Sequence, residues 1–230
     1  MTGPLVALVG GDEFRPPAAE VDRYVIRRLG RKEPLVAILP TAAAHENARL
    51  AAENGVRHFR GLGVDAAALM AVDKASANDP QLVARLDGVD LVYLAGGDPR
   101  YLLDTLRGSA LWQRLSGALE EGCGLAGSSA GAMVLGETMH YQREWTPALG
   151  LLPGICVLPH FERWGAEALP DLRDSSSDNT LTLLGIDGAT GCVGWGREWE
   201  VVGPGAVTVI RAGRAKVFRG GRRIELGYTS

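Results

Sequence analysis

Gly127-Ser128-Ser129-Ala130-Gly131 is the stretch of this chain best suited to covalent chemistry. It has the form Gly-x-Ser-x-Gly. A short apolar run that reads as a buried strand, Gly124 to Gly127, precedes it, and small residues that read as a helix start follow. In a nucleophile elbow the serine sits in a strained turn at a strand end, and glycines flank it because a larger Cβ would clash. The N–H groups and positive dipole end of the following helix then favour an oxyanion. By spacing, Ser129 is the nucleophile and Ser128 a neighbour pointing elsewhere. The pentapeptide alone is equally compatible with a tightly packed turn that does no chemistry.

A serine hydroxyl needs a base, and an oxyanion needs a second donor. Gly96-Gly97-Asp98 ends another apolar run, so an N–H of Gly96 or Gly97 can join that of Ala130 as oxyanion donors. Taken alone, the tripeptide reads as an ordinary strand-end turn. There are four histidines. His45 and His58 fall on a predicted helix, and His140 follows the elbow helix. His160, in "VLPHFERW", comes just past the apolar run "GICVLP" and belongs on the face where the serine sits. The third member must be a carboxylate that fixes the imidazole tautomer and stabilises the imidazolium. Glu144 lies between serine and histidine and Asp187 after both; spacing alone does not choose.

The elements that position these residues are short, continuous apolar runs, as in strands covered on both faces. They are Pro4 to Gly10, Leu35 to Pro40, Asp90 to Gly96 and Gly124 to Gly127. Stretches with helical spacing alternate with them: Ala18 to Leu29, Ala44 to Leu62, Leu82 to Leu86 and Arg100 to Glu121. That order predicts an α/β fold with three αβα layers and a mostly parallel central sheet, its site at the carboxyl ends of the strands. From Val207 to Leu226 the pattern alternates and is broken by Ala-Gly and Gly-Gly, which predicts antiparallel hairpin strands. "DSSSDN", Asp174 to Asn179, is the most loop-like segment and too short to divide domains, so residues 1–230 read as a single domain.

The 230 residues carry 24 Lys and Arg against 27 Asp and Glu, which argues against binding driven by phosphate neutralisation. The densest basic patch, Arg27 to Lys32, reads as the solvated end of a helix. Cys123, Cys156 and Cys192 lack the spacing of a zinc or redox motif and read as buried free thiols, which suits a reducing compartment. No apolar run is long enough to span a bilayer, and the N-terminus lacks a leader pattern. The expected setting is therefore cytoplasmic. "GGDEF", Gly10 to Phe14, matches a signalling-cyclase label without its context and reads as a coincidental strand-end turn.

Taken in order, "PTAAA" (Pro40 to Ala44), "LAGGDPRYLL", "GSSAGAMVLG", "LPHF", "LLGIDGATG" and "GREWEVVGPGAVTVI" resemble the peptidase E (aspartyl dipeptidase) and cyanophycinase family of serine peptidases. The resemblance implies a class I glutamine amidotransferase-like fold, with Ser129 as nucleophile and His160 as base. The family places an acid shortly after the elbow helix, which favours Glu144, fifteen residues on. Many members carry Glu directly after the later Asp. Here that position is Gly188, which leaves Asp187 as the fallback. True amidotransferases carry cysteine in the elbow, and this chain carries serine.

The implied reaction is acyl transfer to water through an acyl-enzyme, with no metal or organic cofactor. The expected partner is a small peptide substrate, with neither nucleic acid nor membrane, and a homodimer is left open. Polymer-cutting members of the family look as if they have an acidic-glutamine step before the histidine and several arginines after it. Leu158-Pro159 and Phe161 to Trp164 depart from that and argue against the aspartate–arginine polymer. Arg100 and Arg163 are candidate substrate-binding clamps for an acidic side chain or a free C-terminus. A dipeptidase, a carboxypeptidase with such a clamp and a non-catalytic binding domain are the competing readings.

Overall fold

Successive residues of a strand point to opposite faces of its sheet, and in β1 (Val6–Val9) both faces are covered. Val6 and Leu8 enter one apolar cluster, and Ala7 and Val9 enter another. This explains the continuous apolar runs. The computed structural model describes residues 3–164 and 181–226. The loop-like segment Asp174 to Asn179 lies outside the described residues.

After β1 come α1 (Ala19–Leu29), β2 (Leu35–Leu39), α2 (Ala48–Gly61), β3 (Asp65–Ala68), α3 (Pro80–Val83) and β4 (Leu91–Leu94). Then follow α4 (Pro99–Leu106), α5 (Ala110–Glu120), β5 (Gly124–Ser128), α6 (Ala130–Met133), β6 (Thr138–Tyr141), β7 (Glu144–Pro147) and β8 (Ile155–Pro159). The remainder is strand: β9 (Thr182–Ile186), β10 (Gly191–Trp195), β11 (Glu198–Val202), β12 (Ala206–Arg211), β13 (Arg214–Arg219) and β14 (Arg223–Glu225).

The large sheet has the order β14-β11-β10-β1-β5-β4-β2-β3. The strands from β1 to β3 in that order are parallel, and β10, β11 and β14 extend it antiparallel. Val21 and Val25 of α1 and Phe59 of α2 cover one face. Leu102, Leu103 and Leu106 of α4 and Leu111, Leu115 and Leu119 of α5 cover the other. The same apolar cluster continues into a second sheet, order β13-β12-β9-β8, through Val157, Leu184 and Val207. The strand before His160 therefore belongs to this second sheet. Truncating any of these buried leucines to alanine costs about 2–5 kcal/mol.

Two predicted helices are shorter than their spacing suggests. The side chain of Asn47 accepts the N–H of Leu50, so α2 starts at Ala48 and leaves His45 outside it. The stretch Arg100 to Glu121 is two helices, because Gly108 turns left-handed at φ +67° and Ser109 caps the next helix. No helix among the described residues is long and apolar enough to cross a membrane. Burial pushes the thiols up, to about 11 for Cys123 and about 12 for Cys156 and Cys192, so none is poised as a nucleophile.

Candidate active site

Strands β1, β4 and β5 lie side by side and parallel, so their carboxyl ends open on one edge of the sheet. Ser129 follows β5 directly, with φ 49° and ψ −111°, a conformation that a residue with a Cβ seldom adopts. Its tightness is enforced on both sides. A Cβ on Gly127 would come within 2.4 Å of Gly131 O, and one on Gly131 within 2.3 Å of Leu94 O. Ser128 is buried and donates to Glu13 Oε2 at 2.7 Å, while Ser129 is partly exposed and lines two clefts.

His160 follows β8 directly and also has positive φ, at φ 49° and ψ 41°. Its N–H donates to Gly10 O at 2.8 Å, which ties the end of β8 to the end of β1. The ring lies over Gly11, where a Cβ would come within 2.0 Å of Cε1. His160 and Ser129 line the same cleft, and no direct hydrogen bond joins them. Such bonds often tighten only when substrate is in place. Nδ1 of His160 is buried and has no hydrogen-bond partner.

Of the expected oxyanion donors, Gly96 is committed elsewhere: its N–H donates to Glu13 Oε1 at 2.8 Å. Gly97 and Ala130 keep their N–H groups uncommitted. Ala130 opens α6 and so has no carbonyl of its own helix to bond. Gly97 is required as glycine, with φ +141° and a Cβ position 2.3 Å from Ala42 O.

The structure does not bring Glu144 to His160. Glu144 is exposed at the start of β7 and accepts from Arg100 Nη2 at 2.6 Å. The hairpin explains this. Trp145 lies opposite His140, and their rings are 4.7 Å apart; His140 in turn is 6.0 Å from Trp164. Adjacent strand residues face opposite ways, so Glu144 turns to Arg100. Asp187 is engaged through one oxygen: its Oδ2 accepts the N–H of Ala206 at 2.8 Å and pins the end of β9 to β12. The two expected clamps are paired as well, Arg100 with Glu144 and Arg163 with Glu162 at 3.2 Å and Asp12 at 3.6 Å.

Carboxylates do surround the site, but they come from the β1 turn and from the residue two beyond His160. Asp12, His160 and Glu162 each offer a donor atom, all within 4.8 Å of one another. Glu13 bridges Gly96 and Ser128. Sequence reasoning missed Asp12 and Glu13 because "GGDEF" reads as a coincidental match. The available signal was its Gly-Gly pair, placed at a strand end like the pair at Gly96-Gly97.

Ser129 stands where two clefts meet. The larger, about 890 Å³, is lined by charged residues that include Asp12, Glu13, Arg15, Arg23, Glu46 and Arg57. The smaller, about 360 Å³, has a more apolar wall with Met133, His140, Tyr141 and Trp164. At the inner side of the larger cleft His58 Nε2 meets Asp22 Oδ2 at 2.8 Å, joining α2 to α1. Burial raises the Asp22 carboxyl above its usual range, and the His58 contact only partly offsets that.

A strained serine on an elbow, two uncommitted backbone N–H groups and a histidine in the same cleft are the kinds of group that acyl transfer needs. The model of peptidase family S51 matches residues 5–190. The chain belongs to peptidase family S51. It is a serine peptidase, a hydrolase of peptide bonds. The cyanophycinase of Synechococcus elongatus is 26% identical over 228 residues, spanning 90% of this chain and 67% of that one. The crystal structure of a peptidase from an acI-B1 Actinobacterium superposes with a TM-score of 0.85 at 28% identity, over 97% of each chain. A Listeria monocytogenes structure at 15% identity and TM-score 0.59, covering 94% of this chain and 98% of its own, shares the fold alone. The S51 assignment and the mixed α/β fold with its mostly parallel sheet agree with the reading from sequence.

Proposed function

We propose that this S51 peptidase is an exopeptidase on short peptides, dipeptidase-like, with a preference for an acidic residue. Ser129 Oγ attacks the scissile carbonyl, and His160 takes its proton. The N–H groups of Gly97 and Ala130 hold the oxyanion. His160 then protonates the leaving amine, and water releases the acyl group. The observation that carries this reading is the position of Ser129 at the junction of two clefts, one charged and one aromatic-walled. A scissile bond laid over Ser129 places the residues on its two sides in different surroundings. Arg15, Arg23 and Arg57 supply cationic groups for a side-chain carboxylate or a chain terminus in the larger cleft.

The carboxypeptidase reading uses the same cleft with the terminus, not the side chain, on an arginine. Peptides with free or blocked termini, some beginning with aspartate, separate the two by mass spectrometry. Blocking the amino end stops a dipeptidase that reads that end, and blocking the carboxyl end stops a carboxypeptidase. Trimming that survives in Ser129→Ala contradicts the proposal, as does the absence of trimming by folded wild type. Three buried free thiols fit a reducing compartment such as the cytoplasm.

A further inference from the structure

The general base of this site lacks a fixed partner. Nδ1 of His160 is buried without a hydrogen bond, and an imidazole with no carboxylate on its far side has neither a set tautomer nor support for its charged form. Both acids considered from the sequence are engaged elsewhere, Glu144 with Arg100 and Asp187 with Ala206. We propose that Asp12 is the positioning residue of His160. Its carboxylate accepts a ring N–H of His160, fixes the tautomer and stabilises the imidazolium formed when Ser129 gives up its proton. The carboxylate stays ionised throughout, and the proton passes from Ser129 Oγ to His160 and then to the leaving amine. This inference rests on the peptidase reading above.

Three features of the fold support Asp12. First, the backbone clamps its turn beside the ring. His160 N–H donates to Gly10 O at 2.8 Å, Ala189 N–H donates to Gly11 O at 2.9 Å, and the imidazole lies directly over Gly11. Second, its carboxylate is held only by long ion pairs. Its ion pairs with Arg15 and Arg163 are both 3.6 Å long, beyond hydrogen-bond length. Glu162, the other nearby acid, is committed at both oxygens, to Gly188 N–H at 2.8 Å and to Arg163 Nε at 3.2 Å. Third, the space for Asp12 is made by a missing side chain. A Cβ on Gly188 would lie 2.4 Å from Asp12 Oδ2, so a larger residue there would displace the carboxylate as it now stands. Asp12, Ser129 and His160 are also all left-handed, at φ 57°, 49° and 49°. Strain that persists in non-glycine residues concentrates at functional sites.

The test uses an alkyl fluorophosphonate, which needs no knowledge of the peptide substrate. Ser129 Oγ forms the O–P bond, fluoride leaves, and the hydroxyl proton departs through His160. In Asp12→Asn the labelling rate constant should fall about 100- to 10,000-fold with little change in probe affinity, the scale seen when a triad carboxylate is made an amide. Glu162→Gln should stay within about threefold, as expected for an exposed pair. In Asp12→Gly, adding Gly188→Glu should restore labelling tenfold or more, about the gain expected of a returned general-base partner; a merely structural role for Asp12 does not predict that rescue. Labelling of Asp12→Asn within about threefold of wild type overturns the inference, on the scale set for uninvolved surface charges. Unlabelled wild type, or labelling that survives in Ser129→Ala, instead defeats the peptidase reading itself. If Asp12→Asn does not fold, proton NMR of the wild-type protein decides. A low-field ring N–H proton of His160, assigned by its loss in His160→Gln, should persist in Glu144→Gln and in Asp187→Asn. Its absence from wild type, or its loss in either variant, overturns the inference.

Discussion

The chain writes Gly-Gly-Asp twice at the carboxyl end of a parallel strand, at Gly10-Gly11-Asp12 after β1 and at Gly96-Gly97-Asp98 after β4. In both turns the second glycine is left-handed, at φ +128° for Gly11 and +141° for Gly97. In both, a Cβ on that glycine would strike something at once: the His160 ring at position 11 and Ala42 O at position 97. The aspartates then diverge. Asp98 is used by its own helix, its Oδ1 accepting from Arg100 N–H at 2.8 Å and Tyr101 N–H at 3.1 Å to cap α4. Asp12 caps nothing; its turn leads through a left-handed Phe14 before a short 3₁₀ turn at Pro16–Ala18. The same three letters therefore serve two ends. After β4 they anchor a helix and leave the Gly97 N–H uncommitted, and after β1 they put a carboxylate beside His160.

The largest break in this comparison is loss of the group both turns face. Ser129→Ala should lower kcat about 1,000-fold or more with folding intact, measured on whichever short peptide is trimmed. Next comes a direct exchange of roles. Asp12→Asn should cost catalysis and little stability. Asp98→Ala should cost about 1 kcal/mol in denaturant unfolding, the value of a helix cap, and far less in rate. Equal effects from the two variants would dissolve the contrast.

The glycines sharpen it further. Gly11→Ala presses a methyl on the His160 ring and should cost about 100-fold in rate, the scale of a small misplacement of a catalytic group. Gly97→Ala meets backbone instead, so it should cost about 1–3 kcal/mol of stability, as overpacking does, along with the oxyanion geometry. Glu144→Gln should change kcat/KM no more than about threefold, because its partner lies on the surface.

The smallest effect is a pH dependence. Burial raises Asp22 above its unfolded value, so the folded state holds that proton more tightly. The stability this adds is fully present below the unfolded carboxyl pKa and is lost as pH rises through the folded one. Denaturant unfolding of wild type against Asp22→Asn should show that loss in wild type alone.

The parallel strands were legible because burial on both faces writes them as continuous apolar runs. β3 was not, because Asp65–Ala68 is an alanine run at the sheet edge with no such signature. The β6–β7 hairpin was also missed. Its turn uses left-handed Gln142 and Arg143, and neither residue announces positive φ as glycine would. In that hairpin Glu144 turns to Arg100 while Trp145 lies opposite His140. That Ser129 and His160 share one cleft was legible because each follows a strand at the edge where sites gather. The closeness of Asp12 to His160 was not, because β1 and β8 lie in different sheets and only folding brings residue 12 to residue 160.

The most direct test of the central claim is to treat the intact protein with an alkyl fluorophosphonate and locate the adduct by tandem mass spectrometry. The account predicts one phosphonyl group per chain, on Ser129 and not on its buried neighbour Ser128, with none in Ser129→Ala. An adduct on another residue, or none on a well-folded chain, would contradict it.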